Sequence, residues 1–459
     1  MCLLAPAVAG RARVGLRRQQ WNQELWDASR DVYRQRKCRN RGSAAHDPCY
    51  RQRALRAMET VMRFVALFRP IALAGFIASL ASADLRAADA GITGTRVPLP
   101  TGPNAIGTFS VRLTDAARSN PFLKDGSHRE LMVRFWYPAV RTSGCAPAEY
   151  ISPKVRAYLS ESLGIPAFDI RTNSCREAPV LAGRHPVIIA SHGYTGMYTD
   201  YTFLFEDLAS RGYVVASIAH AYESTALELP DGKLITSRFG TYLIENTLRM
   251  DDSWLKMATS IRQADLRFVC AELSRWSERG GPLFGKLDLS RIGVLGHSLG
   301  ADTAMTGLRL QLEIKAALLL DPIALSKSAT AGSNKPVMLV NEGREQWSNQ
   351  ECELWNNLHG AKRAVLFREA DHFTPTDAIW LSSYLPELRV ETGNIGPDKT
   401  VDAIRNYVAA FFATYLSGEP TSRLLDGIST EYEGMSLVTV NRPLCSPVIT
   451  SAPALALAP

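Results

Sequence analysis

The sequence predicts an α/β protein with a mostly parallel central sheet and helices on both faces, and three observations predict it. Short continuous apolar runs, such as residues 186–190, 213–218 and 314–320, have the make-up of strands buried on both faces. They alternate with longer stretches of helical spacing, which implies βαβ units. Between one such run and one such helix lies Gly296-His297-Ser298-Leu299-Gly300. Strand, G-x-S-x-G, helix is the context of a nucleophile elbow, whose sharp turn lifts the serine hydroxyl to the top of the sheet.

The elements follow in chain order. Residues 107–113 alternate apolar and polar, as an edge or hairpin strand does, and residues 130–138 form a second strand closed by Pro138. Residues 140–184 read as loop with one amphipathic helix around 153–163, an insertion or flap able to cover a pocket. Residues 186–190 are a buried strand, 200–210 a helix and 213–218 another buried strand. Residues 221–250 are irregular, and 254–276 form a long amphipathic helix. Residues 292–295 lead into the elbow and 299–310 lead out as helix. Residues 314–320, 336–340 and 363–367 are the last strands, and 401–416 a closing helix. No internal repeat is visible. One catalytic domain is expected over residues 90–425, then a C-terminal extension, 426–459, whose Ala/Pro/Leu-rich end from Ser446 reads as a disordered tail.

Charge is unevenly placed. Residues 1–57 carry 13 Lys+Arg against 4 Asp+Glu, so the remainder has a net charge of −2 although the chain totals +7. A nearly neutral body gives no footprint for nucleic acid. Residues 1–57 read as a basic leader, and Met58 or Met62 as the initiator, leaving that leader untranslated. Residues 58–83 read as a secretory signal peptide: Arg63 and Arg69, an uncharged run from Pro70, then Ala81-Ser82-Ala83 as the cleavage pattern. A secreted or periplasmic protein is therefore expected. Beyond the leader stand Cys145, Cys175, Cys270, Cys352 and Cys445. The odd number leaves at least one free thiol in an exported chain. Cys145–Cys175 is the first expected disulfide, and Cys270, inside an amphipathic stretch, the buried free thiol. No Cys/His spacing resembles a zinc site; neither metal nor cofactor is expected.

A serine hydroxyl needs a base within hydrogen-bond reach and a third group to orient that base. Elbow enzymes order these Ser, acid, His. Only His359 and His372 follow Ser298. His359 precedes the strand at 363–367, at the wrong sheet edge; His372 follows it, at the edge where the base must be. Residues 314–320 run straight into Asp321-Pro322, so Asp321 is the expected acid, with Glu342 after the next strand as runner-up. Asp302, on the elbow helix, and Asp371, beside the base, have worse geometry. Two backbone N–H groups should hold the oxyanion: that of Leu299, and that of Tyr194 in Ser191-His192-Gly193-Tyr194-Thr195-Gly196. His192 and His297 read as hydrogen-bonded structural histidines.

At this point the sequence resembles a known family. Ser191-His192-Gly193-Tyr194, Leu208-Ala209-Ser210-Arg211-Gly212-Tyr213-Val214-Val215-Ala216, Phe135-Trp136-Tyr137-Pro138, Arg262 and Asp265 with Arg267-Phe268-Val269, the elbow, Leu320-Asp321 and Asp371-His372-Phe373 are similar to the type II (plasma-type) platelet-activating-factor acetylhydrolases and their bacterial relatives. The resemblance spans roughly residues 95–415 in the same order. It implies an α/β-hydrolase fold and a calcium-independent serine esterase acting on short or oxidised sn-2 acyl chains of phospholipids. It implies Ser298, Asp321 and His372 as the triad, with Tyr194 and Leu299 as the oxyanion hole. One departure is Ala301-Asp302, where such enzymes often carry a second glycine. The expected partner is a small-molecule or lipid ester, with transient contact at a membrane surface and no nucleic acid. Two other readings stand beside this one: a cutinase-like or other carboxylester or polyester hydrolase, and a non-catalytic binding protein on the same fold.

Overall fold

The computed structural model describes residues 92–163, 168–238, 252–322, 325–342, 347–385, 388–426, 432, 435–438 and 445. The expected leader, signal peptide and tail lie outside the described residues.

The first third of the sheet is β1 (Ile92–Arg96), β2 (Ala105–Ser119), β3 (His128–Ala139), β4 (Pro147–Glu149) and β5 (Phe168–Arg176), with helix α1 (Pro153–Leu163) between the last two. Then come β6 (His185–Ser191), α2 (Thr202–Ser210), β7 (Val214–Ala219), the hairpin β8 (Ala226–Glu228) and β9 (Leu234–Thr236), and the long α3 (Asp252–Arg279). The elbow half is β10 (Leu287–His297), α4 (Leu299–Leu310), β11 (Ile314–Leu320), α5 (Lys327–Thr330), β12 (Val337–Glu342), α6 (Asn349–Asn357) and β13 (Lys362–Phe367). After it come α7 (Ala378–Leu381), α8 (Arg389–Thr392), α9 (Pro397–Ser417) and β14 (Met435–Val438).

Among the described residues one twelve-stranded sheet runs β1-β5-β2-β3-β7-β6-β10-β11-β12-β13-β14, with β4 on β5. Strands β7, β6, β10, β11, β12 and β13 pair in parallel; β2, β3, β4 and β14 bring the antiparallel pairings. Side chains on successive strand residues face opposite ways. Ile292, Val294, Ala317, Leu319, Val337 and Leu339 accordingly pack on one face with α3, α4 and α6. Leu295, Ala316, Leu318, Leu320, Met338 and Val340 pack on the other with α2, α7 and α9. Two cores on one sheet are why these strands read as unbroken apolar runs.

Three expectations need correction. Residues 140–184 are not a flap: β4 and β5 extend the sheet, and β5 sits between β1 and β2, so β2 is not an edge but, as the other expectation had it, a hairpin strand paired with β3. The inward-facing residues of β5 include Thr172 and Ser174, bonded to the Ala148 carbonyl at 2.6 Å and to Glu206 of α2 at 2.6 Å. A strand with polar residues facing in shows no apolar alternation. Residues 226–236 of the supposedly irregular excursion form the β8–β9 hairpin. The strand at 363–367 is not the last, because β14 pairs with β13 and carries the sheet past residue 425. Cys145 is joined to Cys175, as expected, and Cys352 to Cys445; Cys270 is free and buried.

Candidate active site

Register brings the site together. His297 of β10 is level with Leu320 of β11, and Gly296 with Ser191 of β6. The next residues, Ser298, Asp321 and His192, therefore leave the same edge of the sheet side by side. Glu342 ends β12 level with Phe367, the last residue of β13, and His372 lies five residues beyond it.

Ser298 caps α4 with φ 54° and ψ −118°, a left-handed conformation that non-glycine residues seldom adopt. Its N–H is held by the Leu320 carbonyl at 2.9 Å. A side chain at Gly296 would collide with the Gly300 carbonyl, and one at Gly300 with the Ser191 carbonyl. The two elbow glycines thus answer separate close approaches, one within the turn and one to the neighbouring strand. Asp321 is also left-handed, φ 40°; its N–H bonds the Val340 carbonyl at 2.8 Å.

His372 Nδ1 donates to Asp321 Oδ2 at 2.6 Å, and both residues are buried. Glu342 contributes its backbone: its N–H donates to Asp321 Oδ1 at 3.3 Å. Asp371 accepts the N–H of His372 at 2.6 Å. Asp302 turns away to the Ser326 N–H at 2.6 Å, and burial pushes its carboxyl up to about 6. His359 is exposed and precedes β13. Ser298 Oγ makes no hydrogen bond among the described residues and keeps only 7% exposure.

The N–H of Leu299, in the first turn of α4, has no carbonyl to reach within its helix. Tyr194 follows a loop gripped from behind: Arg262 Nη1 and Nη2 donate to the carbonyls of His192 and Gly193. Glu223 holds Arg262 at 2.9 Å, and all these groups are buried. His192 Nδ1 donates to the Gly193 carbonyl at 2.7 Å, and Ser224 Oγ lies 2.8 Å from its Nε2. Burial and Arg262 hold that imidazole well below the usual histidine range. One turn along α3, Asp265 takes two bonds from Arg129, at 3.1 and 2.6 Å, one from Arg118 and one from His220 Nδ1.

On the other side Tyr201 hydroxyl lies 2.9 Å from His297 Nδ1, and His297 Nε2 lies 2.9 Å from the His372 carbonyl. Burial, with His372 beside it, holds the His297 imidazole down to about 3, so it is neutral. Asp377, beyond His372, accepts from the Thr202 and Phe203 N–H groups at the start of α2, from Tyr150 and from Trp380.

His220, Glu223 and Asp265 cluster closely enough to suggest a cation site. Arg262 on Glu223 and Arg129 on Asp265 already supply the positive charge there. The sequence reasoning missed Tyr201, Glu223 and Asp377. A lone aromatic or acid in a turn or at a helix start carries no signal of its own. Arg262 and Asp265, three apart in an otherwise amphipathic helix, were the one visible hint of buried charge.

The fold and this edge define an α/β-hydrolase. The chain belongs to the family described as platelet-activating factor acetylhydrolase, isoform II, whose model matches residues 94–230 and 281–419. It is 22% identical over 359 residues to a platelet-activating factor acetylhydrolase of Cavia porcellus, covering 68% of this chain and 78% of the relative. It is 23% identical to a probable 1-alkyl-2-acetylglycerophosphocholine esterase of Arthroderma benhamiae, over 73% of this chain and 92% of the relative. Among solved structures, a ferulic acid esterase from Streptomyces cinnamoneus superposes with a TM-score of 0.64 at 30% identity, covering 75% of this chain and all of that one. The protein is a carboxylic ester hydrolase of the platelet-activating-factor acetylhydrolase type.

Proposed function

We propose a secreted serine esterase that hydrolyses short or oxidised sn-2 acyl esters of phospholipids through an acyl-enzyme. The observation that carries the mechanism is the 2.6 Å bond from His372 Nδ1 to Asp321, which fixes the tautomer that leaves Nε2 as the base. Ser298 attacks the ester carbonyl as His372 takes its proton. The N–H groups of Tyr194 and Leu299 hold the oxyanion, worth about 10²–10³ in rate for each donor. The lysophospholipid leaves with the proton from His372, and water then releases the acyl group by the same steps. The Leu299 and Tyr194 side chains belong to an apolar cluster with Phe122, Tyr222 and Trp254, which suits an alkyl-bearing substrate.

The two disulfides support export, since such bonds persist in oxidising compartments. Native protein whose first residue follows Ala83 is the expected mass-spectrometric result; peptides from before residue 58 would contradict it. The likeness to the ferulic acid esterase favours one second reading, a carboxylester hydrolase of broader scope. A panel of 1-alkyl-2-acetyl-glycerophosphocholine, a p-nitrophenyl ester series and methyl ferulate separates them. Turnover of the phospholipid with kcat/KM above the other two is expected; rapid turnover of the aryl or feruloyl ester alone would replace the phospholipid reading.

A further inference from the structure

We propose that Tyr201 and His297 form a single positioning strut that fixes the loop bearing the Tyr194 N–H and the loop bearing His372 to each other across the elbow. The inference rests on the roles proposed above for Ser298, His372 and Tyr194.

The polarity of the strut follows from its ends. His297 Nε2 faces a carbonyl, that of His372, at 2.9 Å, and a carbonyl can only accept. Nε2 therefore carries the proton of this neutral imidazole, and Nδ1 is left as a bare acceptor. The Tyr201 hydroxyl, 2.9 Å away, must donate to it. Its oxygen is then free to accept the Gly193 N–H at 3.3 Å. Three bonds, each with one allowed direction, run from the residue before Tyr194 to the backbone of His372. Both side chains are buried, 2% and 1% exposed, so water has little access to substitute for a lost link.

Packing points the same way. A Cβ at Gly193 would sit 3.0 Å from His297 Nδ1 and 3.5 Å from Ser298 Cβ, so the loop lies directly on the elbow. The His297 ring is 4.6 Å from the His372 ring, between centroids, and forms a wall against which the base rests. Neither Tyr201 nor His297 is assigned any contact with the ester. They act through the placement of an N–H donor and an imidazole, and a displacement of about 1 Å there costs about 10²-fold in rate.

The test compares Tyr201→Phe, His297→Gln, the double variant and Ser298→Ala on p-nitrophenyl acetate. Tyr201→Phe removes only the central hydroxyl. His297→Gln keeps an amide N–H where Nε2 was, and with it a bond to the His372 carbonyl. Tyr201→Phe should lower kcat by about tenfold with KM within about twofold. The double variant should be no slower than the slower single one, because both cut the same strut. A kcat for Tyr201→Phe within about twofold of the parent, or losses that multiply in the double variant, overturns the proposal. Should His297→Gln not fold, the Tyr201→Phe kcat decides alone. Turnover that survives in Ser298→Ala overturns the reading of the site itself; an inactive Ser298→Ala beside an unimpaired Tyr201→Phe overturns the strut alone.

Discussion

The loop that carries Tyr194 and the loop that carries His372 are both anchored by buried carboxylates, but the partners differ. Behind the first, Glu223 and Asp265 face guanidinium groups, those of Arg262, Arg129 and Arg118. Burial opposes the charge on Asp265, yet Arg129 and His220 outweigh it and hold the carboxyl well below its usual range. Behind the second, Asp377 meets neutral donors: Tyr150, Trp380 and the Thr202 and Phe203 N–H groups. Asp200, between the Tyr194 loop and the start of α2, likewise meets a neutral donor, the Met197 N–H, and its carbonyl accepts the Asp377 N–H. Burial pushes Asp377 up to about 6 and Asp200 up to about 7, the latter with Asp377 adding to it.

The two kinds of buried carboxylate therefore respond to pH with opposite sign. A depressed carboxyl such as Asp265 contributes stability that is present above its unfolded value of about 4 and lost as pH falls through the folded value. Raised carboxyls such as Asp200 and Asp377 contribute stability that is present below about pH 4 and lost as pH rises through their folded values. The carboxylates paired with guanidinium groups are built to stay charged, and those held by neutral donors give up stability on the way to neutrality.

The largest expected effect lies at the rim where the flanks meet. Asp321→Asn should cut kcat by about 10⁴, by allowing the wrong imidazole tautomer. Glu342→Gln should change kcat little, since Glu342 serves Asp321 through its backbone N–H. Equal losses in steady-state kinetics, or the reverse order, would break the assignment of Asp321 as the acid.

Next comes the charged flank. Arg262→Met leaves Glu223 buried without its cation and should cost about 3–5 kcal/mol in urea unfolding. Adding Glu223→Leu should restore most of that stability without restoring turnover, because the His192 carbonyl stays unheld and the Gly193 carbonyl keeps only donors from its own loop. A loss as small as that of an exposed ion pair would erase the contrast between the flanks.

The neutral flank should be more forgiving. Tyr150→Phe removes one of four donors to Asp377 and should cost about 1 kcal/mol. Among the described residues the Asp200 carboxylate has one N–H donor, that of Met197 at 2.7 Å, which an asparagine oxygen can also accept. Asp200→Asn should flatten the fall in stability between about pH 4 and pH 7, and should raise stability at pH 8 by about 1 kcal/mol. An unchanged pH profile would remove Asp200 from the account.

What was legible in the sequence follows the same division. The central parallel strands were readable because their apolar residues meet one of two cores. The placement of Ser298 and His372 at one edge was readable because motif and strand order confine them there. Strand β5 was not, since its inward Thr172 and Ser174 depend on Ala148 and on Glu206 of a helix some 30 residues away. Tyr201 and Asp377 were hidden for the same reason: their partners come from loops that only the fold brings together.

We propose that Ser298, alone among the serines of this chain, is activated by His372. Labelling with a fluorophosphonate, followed by peptide mapping, tests it directly. One adduct is predicted, on Ser298 of the folded protein, absent in Ser298→Ala and strongly slowed in His372→Ala. An adduct on another serine, or none in folded protein that still hydrolyses esters, would contradict it.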